Sequence, residues 1–106
     1  MPKYLVQATY TAEGAKGLLA EGGTKRRDAA VKAITSAGGK VEAFYFSFGK
    51  SDAIVLLDMP DNVSVAAALL AINASGAVTT TTTVLLTPDE VDEAVKKSVS
   101  YRAPGQ

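Results

Sequence analysis

The pattern of hydrophobic and polar positions along the chain predicts four strands. Residues 3–10 alternate with a period of two, as a strand with two different faces does. Residues 41–48 and 52–59 are predicted strands with apolar side chains on both faces, and the short turn at residues 49–51 favours an antiparallel hairpin. Residues 78–86 contain five consecutive threonines, whose β-branched side chains favour a fourth strand.

Two segments of different character lie between the first and second strands. Residues 25–37 are predicted to be helical, with Thr24 as the N-cap and Gly38-Gly39 as the stop signal. Residues 11–23 contain four glycines. Residues 12–21 could form a short helix, but Gly14 and Gly17 would each cost about 1 kcal/mol in its interior, so we expect a loop or a weak helical turn there.

The two remaining predicted helices differ in polarity. Residues 62–75 carry no charged side chain and are apolar on every face, so we expect this helix to be buried on nearly all sides. The last helix spans residues 88–99 and begins with a clear signal, because Thr87 and Glu90 form a capping box around a proline at the first helical position. Residues 101–106 are predicted to be a short tail.

The order of these elements predicts the fold class. Strand, helix, strand, strand, helix and strand in succession is the ferredoxin-like α+β arrangement, in which two helices cover one face of a four-stranded antiparallel sheet. We expect residues 1–100 to form this single domain. The other face would expose aromatic, aliphatic and threonine side chains, and soluble monomers rarely expose such a surface. A second copy of the chain, packed sheet to sheet, is its simplest cover.

Composition restricts the chemistry that this chain can perform. Its 106 residues include neither cysteine nor histidine, which excludes disulfides, thiolate nucleophiles, imidazole catalysis and zinc, haem or iron–sulfur sites built on those residues. No dense group of carboxylates suggests an oxygen-only metal site, so neither a metal nor a cofactor is predicted. Eleven basic and eleven acidic residues cancel, which argues against nucleic acid as a partner.

The sequence also suggests where in the cell the protein is located. No apolar segment is long enough to cross a bilayer, and the first residues lack the pattern of a secretory signal. We therefore expect a cytoplasmic protein without a membrane partner.

Three consecutive cations are the first candidate site. Lys25, Arg26 and Arg27 occupy the predicted first turn of a helix, where the helix dipole disfavours positive charge. One interpretation is an anion site, in which the side chains, the preceding Gly22-Gly23 loop and the helix N–H groups bind a phosphate or carboxylate. The other is that these cations pair with nearby acidic side chains or with a neighbouring subunit, as runs of charge usually do.

Strand residues supply the remaining candidates. Asp52 opens the third strand and is either a general base or an acceptor for backbone N–H groups in the turn. Tyr45 and Thr81 are candidates for lining a ligand cavity. Aromatic strand residues and threonine tracts serve packing and strand pairing more often than binding, and that alternative remains open for both.

Short motifs distributed along the chain carry a family resemblance. They are Tyr4-Leu5-Val6-Gln7, Tyr10-Thr11, Gly22-Gly23-Thr24-Lys25-Arg26-Arg27, Gly38-Gly39, Phe44-Tyr45-Phe46, Gly49, Asp52, Leu57, Pro60-Asp61, Ala74-Ser75-Gly76 and Leu85-Leu86-Thr87-Pro88. Together they resemble the GYD domain proteins, a small bacterial family named for a Gly-Tyr-Asp motif. The resemblance implies a ferredoxin-like domain similar to those that pair into dimeric α/β barrels, and it implies no particular activity. Ser51 stands where the motif has its tyrosine.

Three hypotheses for function follow from the sequence. The first is a homodimer, or a ring of dimers, that binds a small anionic or aromatic metabolite. In it Arg26 and Arg27 hold the charged group, and Tyr45 and Thr81 line the rest of the cleft. The second is a cofactor-independent enzyme acting on a small organic substrate, with Asp52 or a tyrosine as the proton carrier. The third is a purely structural assembly protein without a ligand.

Overall fold

The computed structural model describes residues 1–106 and contains four strands and four helices. In chain order they are β1 (Lys3–Tyr10), α1 (Ala12–Glu21), α2 (Gly23–Ser36), β2 (Lys40–Phe46), β3 (Ala53–Asp58), α3 (Asn62–Ala74), β4 (Val78–Leu85) and α4 (Pro88–Val95). The strands form one antiparallel sheet in the order β2-β3-β1-β4. The predicted α+β class with a four-stranded antiparallel sheet is confirmed.

The register of β1 with its neighbours divides the sheet into two faces. Tyr4 pairs with Leu57 and Val6 with Val55, and all four side chains are buried beneath α2 and α3 on what we call the helix face. Because side chains alternate along a strand, the intervening residues lie on the opposite side, here called the open face. The open face comprises Lys3, Leu5, Gln7, Thr9, Lys40, Ala43, Tyr45, Ile54, Leu56, Asp58, Thr79, Thr81, Thr83 and Leu85.

The hydrophobic core lies between the helix face and two helices. Its nine buried residues are Tyr4, Val6, Ile34, Val55, Leu57, Met59, Val65, Ala68 and Leu69. Ile34 comes from α2, and the last three come from α3. Burial of each large aliphatic side chain contributes about 1.5–3 kcal/mol, so this contact holds both helices on one side of the sheet.

Only one side of α3 is covered within a single chain. Val65 and Leu69 are buried against the sheet, whereas Val63 and Leu70 on the outer side are 77% and 70% exposed. The burial on nearly all sides that its sequence predicts is therefore not provided by this chain alone. Despite this apolarity, none of the four helices combines the length and hydropathy needed to cross a membrane.

α1 corrects the expectation of a loop or weak turn over residues 11–23. The Thr11 side chain caps the helix by accepting a hydrogen bond from the Gly14 N–H. Gly14 also lies where the helix touches the backbone ahead of β4, since a Cβ at this position would be 1.9 Å from the Ala77 oxygen. A glycine that is unfavourable by local propensity is thus required by packing, which the local estimate did not include.

α2 begins earlier than predicted, and Thr24 is not its N-cap. Gly22, with a φ of 82°, ends α1, and α2 starts at Gly23 without a side-chain cap. Because glycine adopts this left-handed conformation without strain, one residue suffices to join the two helices. Lys25 and Arg26 are therefore the third and fourth residues of α2, and Arg27 lies beyond its first turn.

The predicted capping box at the start of α4 is confirmed, but the helix is short. Thr87 and Glu90 hydrogen-bond reciprocally at its N-terminus. The helix ends at Val95, four residues before the predicted end. Its apolar residues Val91 and Val95 are exposed, so α4 presents an apolar stripe that the rest of the chain does not cover.

The contact between α1 and the Ala77 backbone predicts opposite effects for two glycines of the same helix. Gly14→Ala should lower the free energy of unfolding by about 1–3 kcal/mol, because its methyl group overlaps the Ala77 carbonyl. Gly17→Ala is the matched control and should raise it by about 0.5–1 kcal/mol, since nothing lies within 4 Å of that methyl group. Urea denaturation measures both. Stabilisation by Gly14→Ala would contradict this packing.

Candidate functional site

A cavity lies between the helix face of the sheet and the helices α2 and α3. Its volume is about 200 Å³, and 14 of its 17 lining residues are hydrophobic. The lining residues are Val6, Ala8, Tyr10, Arg26, Ala29, Ala30, Ala33, Ile34, Phe44, Ala53, Val55, Leu57, Leu69, Ile72, Ser75, Val78 and Thr80. Protein interiors are generally closely packed, so an apolar space of this size between helices and sheet is a candidate binding site. A second pocket is lined by Tyr10, Phe46, Phe48 and Asp52, among others, and a smaller share of its lining is hydrophobic.

Short side chains on facing elements create this cavity. Ala29, Ala30 and Ala33 are spaced so that they share the sheet-facing side of α2. Ala8 of β1 and Ala53 of β3 line the cavity from the sheet, and they are paired neighbours in the strand register. Because a methyl group on each side cannot bridge the distance between helix and sheet, the layer between them stays unfilled.

Arg26 is the one charged residue that lines the cavity. Helical spacing places it on the same face of α2 as Ala29, Ala30 and Ala33. Its side chain is 33% exposed, so the guanidinium lies where the cavity meets solvent, and its Nη1 is 3.6 Å from Oε2 of Glu21. A partly exposed pair of this kind contributes at most about 1 kcal/mol, so an incoming carboxylate can replace Glu21.

The other two cations do not join Arg26. The Arg27 guanidinium donates to the Asp28 carboxylate, with Nη2 3.0 Å from Oδ1, and both side chains are exposed. Lys25 is also exposed and does not line the cavity. The two guanidiniums of the predicted anion site therefore do not converge within the chain, and Arg26 alone lines the cavity.

Tyr45 and Thr81 lie on the open face, on the other side of the sheet from Arg26. The strand register aligns them in one row across the sheet, in which Ile54 and Gln7 separate them. A single cleft combining these two residues with Arg26 is therefore not formed within one chain. The reason is that alternation along β2 and β4 points both side chains away from the helices.

A model of the GYD domain family matches residues 4–95, which run from the first strand to the last residue of α4. The chain belongs to the GYD domain family. The matched region contains every residue of the cavity, so the candidate site is part of the GYD domain itself. A search of curated proteins returned no match.

Asp52, the candidate general base, has a structural partner in this GYD domain. Its Oδ2 accepts a hydrogen bond of 2.8 Å from the Tyr10 N–H, and its own N–H donates to the Ala8 carbonyl at 2.8 Å. Both bonds extend the pairing of β1 and β3 beyond the last ladder residues. Asp52 does not line the cavity between helices and sheet but does line the second pocket. No three acidic side chains lie close enough together to hold a metal ion.

Ser51 is the residue at which the sequence comparison places the tyrosine of the Gly-Tyr-Asp motif. It is buried in the loop of residues 47–52 that joins β2 to β3. Its hydroxyl accepts a hydrogen bond of 3.5 Å from the Gln7 amide, and its carbonyl accepts one from the Ser47 hydroxyl. Ser51 therefore ties the loop to β1, which is a positioning contact inside the fold.

One end of the open face carries a small charge network. Lys3 Nζ lies 2.7 Å from Asp58 Oδ1 and 2.9 Å from Glu42 Oε2. The hydrogen bond from Lys3 lowers the pKa of Asp58, and the bonds to Asp58 and Glu42 raise the pKa of Lys3. The interior of the open face, around Leu5, is by contrast apolar.

Sequence reasoning found Arg26 but missed the cavity. The signal was present as the spacing of Ala29, Ala30 and Ala33, which are small residues on the helix side that faces the sheet. In a sequence, alanines at this spacing cannot be distinguished from the apolar stripe of an ordinary packed helix. Only the structure shows that small residues of the sheet lie opposite them.

The charge network gives a prediction with an internal control. Asp58 stabilises the fold above its ordinary pKa of 3.8, and this contribution is lost as pH falls through its lower pKa in the folded state. In Lys3→Met, we expect the pKa of Asp58 to rise toward 3.8. The pKa of Asp61 is lowered by hydrogen bonds from Ser64 and should stay low. NMR titration of carboxyl carbons measures both, and an unshifted Asp58 would contradict the assignment.

Proposed function

We propose that this GYD domain is a cytoplasmic, homo-oligomeric module that binds a small anionic or aromatic metabolite in the cavity of each chain. The observation that carries the proposal is an apolar cavity of about 200 Å³ with one guanidinium at its edge. Ligand sites are typically apolar spaces in which a few polar groups fix the orientation of the ligand. Arg26 is the group that holds the charge of the ligand, and the alanines and strand residues hold its apolar part.

The proposed architecture is a ferredoxin-like domain that pairs into a dimeric α/β barrel. The strand order β2-β3-β1-β4 and the position of α2 and α3 on one face support the ferredoxin-like assignment. In the dimer, the open faces of two chains pack against each other. This arrangement leaves both cavities on the outer sides of the paired sheets, where ligands reach them without passing through the interface.

Uncovered apolar surfaces support self-association. The centre of the open face includes Leu5, Ile54 and Leu56, flanked by the threonines of β4. The outer side of α3 and the stripe of α4 are two further apolar surfaces that a single chain leaves in solvent. Contiguous apolar surfaces on this scale are typical of protein interfaces and are rare on monomers.

The enzyme hypothesis has less support than binding. It needs a proton carrier beside the bound molecule. The carboxylate of Asp52 is engaged by the Tyr10 N–H and lines the second pocket, so Tyr10 is the candidate carrier that lines the cavity. A purely structural role is the remaining alternative. It differs from the proposal in one measurable respect, because a structural oligomer would bind no small molecule in the cavity.

Substitution of one open-face residue tests the oligomer. Ile54→Asp should convert the wild-type oligomer to monomers at micromolar concentration, because the carboxylate would be buried without a partner in the interface. Leu19→Asp is the matched control. Leu19 is 87% exposed on α1, away from the open face, so this variant should assemble as wild type does. Native mass spectrometry reports the stoichiometry, and a monomeric wild-type protein would overturn this part of the proposal.

The same spectra address binding. Protein purified gently should retain a small-molecule adduct that disappears when the chain is unfolded in acid. A clean oligomer that also fails to bind any added small organic anion would favour the structural alternative. Turnover of a bound compound, with loss of turnover but not of folding in a variant at Tyr10, would favour the enzyme instead.

A further inference from the structure

We propose that the ligand of this cavity is an aromatic monocarboxylate of about the size of benzoate. This inference rests on the proposed binding function and narrows it to one chemical class. Three properties of the cavity carry it: its volume, the rings in its lining and its single positive charge. Each of them restricts a different part of the ligand.

The volume of the cavity suits an apolar part of about one ring. An apolar cavity of about 150 Å³ holds benzene. The cavity described here measures about 200 Å³, which leaves room for a ring and one small substituent.

The lining favours an aromatic ring over a polar one. Tyr10 and Phe44 present aromatic groups to the cavity, and aromatic pairs gain from edge and offset contacts. The hydroxyls of two polar lining residues are already engaged. Ser75 donates to the Ile72 carbonyl, and Thr80 exchanges hydrogen bonds with Asn73. A sugar or another ligand with several hydroxyls would leave most of its polar groups without partners, since only Tyr10 and Arg26 remain to bind them.

The positive charge of Arg26 at the edge of the cavity favours a ligand with a carboxylate. Arg26 is the only ionic group in the lining, and its planar guanidinium matches a carboxylate in two parallel hydrogen bonds. Glu21, at 3.6 Å, is a carboxylate already placed beside this guanidinium. The ligand therefore competes with Glu21 for Arg26 when its ring enters the cavity. One guanidinium balances one negative charge, which favours a monocarboxylate over a dianion.

Three probes of nearly equal size test the class by isothermal titration calorimetry. Benzoate, benzamide and benzylamine are respectively anionic, neutral and cationic. With wild-type protein freed of any adduct, we expect benzoate to bind at least tenfold more tightly than benzamide, and benzylamine not to bind. Equal affinities for benzoate and benzamide would overturn the carboxylate assignment and leave a general apolar binding site.

Substitutions distinguish the contribution of the Arg26 charge to binding from that of the apolar cavity. Arg26→Met should lower the affinity for benzoate about ten- to hundredfold, as expected for loss of a charge-assisted hydrogen bond. Its affinity for benzamide should be unchanged. Arg27→Met is the matched control, because Arg27 pairs with Asp28 away from the cavity, and should bind benzoate as wild type does. Glu21→Gln should raise the affinity for benzoate about two- to fivefold, since the competing carboxylate is removed. An Arg26→Met variant with wild-type benzoate affinity would overturn the inference.

A cavity-filling variant distinguishes failure of this inference from failure of the proposed function. Ala33→Leu should abolish binding of both benzoate and benzamide while the melting temperature is kept or raised, because leucine occupies the space of the ring. If no probe binds but the protein purifies with an adduct that Ala33→Leu removes, the cavity binds another class and the inference is wrong. If no probe binds and no adduct is present, the inference and the binding function both fail.

Discussion

The central position of β1 is the constraint on which the rest of the structure depends. β1 pairs with β3 on one side and β4 on the other, and six and eight consecutive residues hold those registers. A shift of one residue would exchange the two faces, burying Leu5 and exposing Tyr4. The hydrophobic core, the cavity and the open face are therefore all fixed by one strand. The same pairing explains why the β3 end is tied down by Asp52 and Ser51, whose hydrogen bonds reach back to β1.

Much of this fold could be predicted from the sequence because its signals are local. Alternation identifies β1, and the capping box at Thr87 and Glu90 marks the start of α4. The prediction was wrong for α1, where the decisive contact joins Gly14 to Ala77, more than sixty residues away along the chain. It was wrong for the start of α2, since a tight link at Gly22 replaces the expected side-chain cap. Propensity describes a segment in isolation, and both errors concern how segments meet.

The candidate site likewise has a part that local sequence signals predict and a part that depends on how the segments meet. A cation within an early helical turn drew attention to Arg26, and the structure places that residue at the cavity. The sequence could not separate Arg26 from Arg27, because neighbours in a helix differ by about 100° in direction and only the position of the sheet selects one of them. The sequence-based prediction placed Tyr45 and Thr81 in one site with the arginines because their side chains could together bind one ligand. The sheet lies between them, so chemical type was a poor guide to distance.

The alanines of α2 have a consequence for how members of this family diverge. Ala29, Ala30 and Ala33 belong to a helix whose position is held by Ile34 and the core beyond it. Replacing one of them by a larger aliphatic residue changes the shape of the cavity and leaves the pairing of the strands untouched. A single codon change on this face of the helix can therefore reshape the cavity of an unchanged scaffold, so two domains with this fold need not enclose the same space.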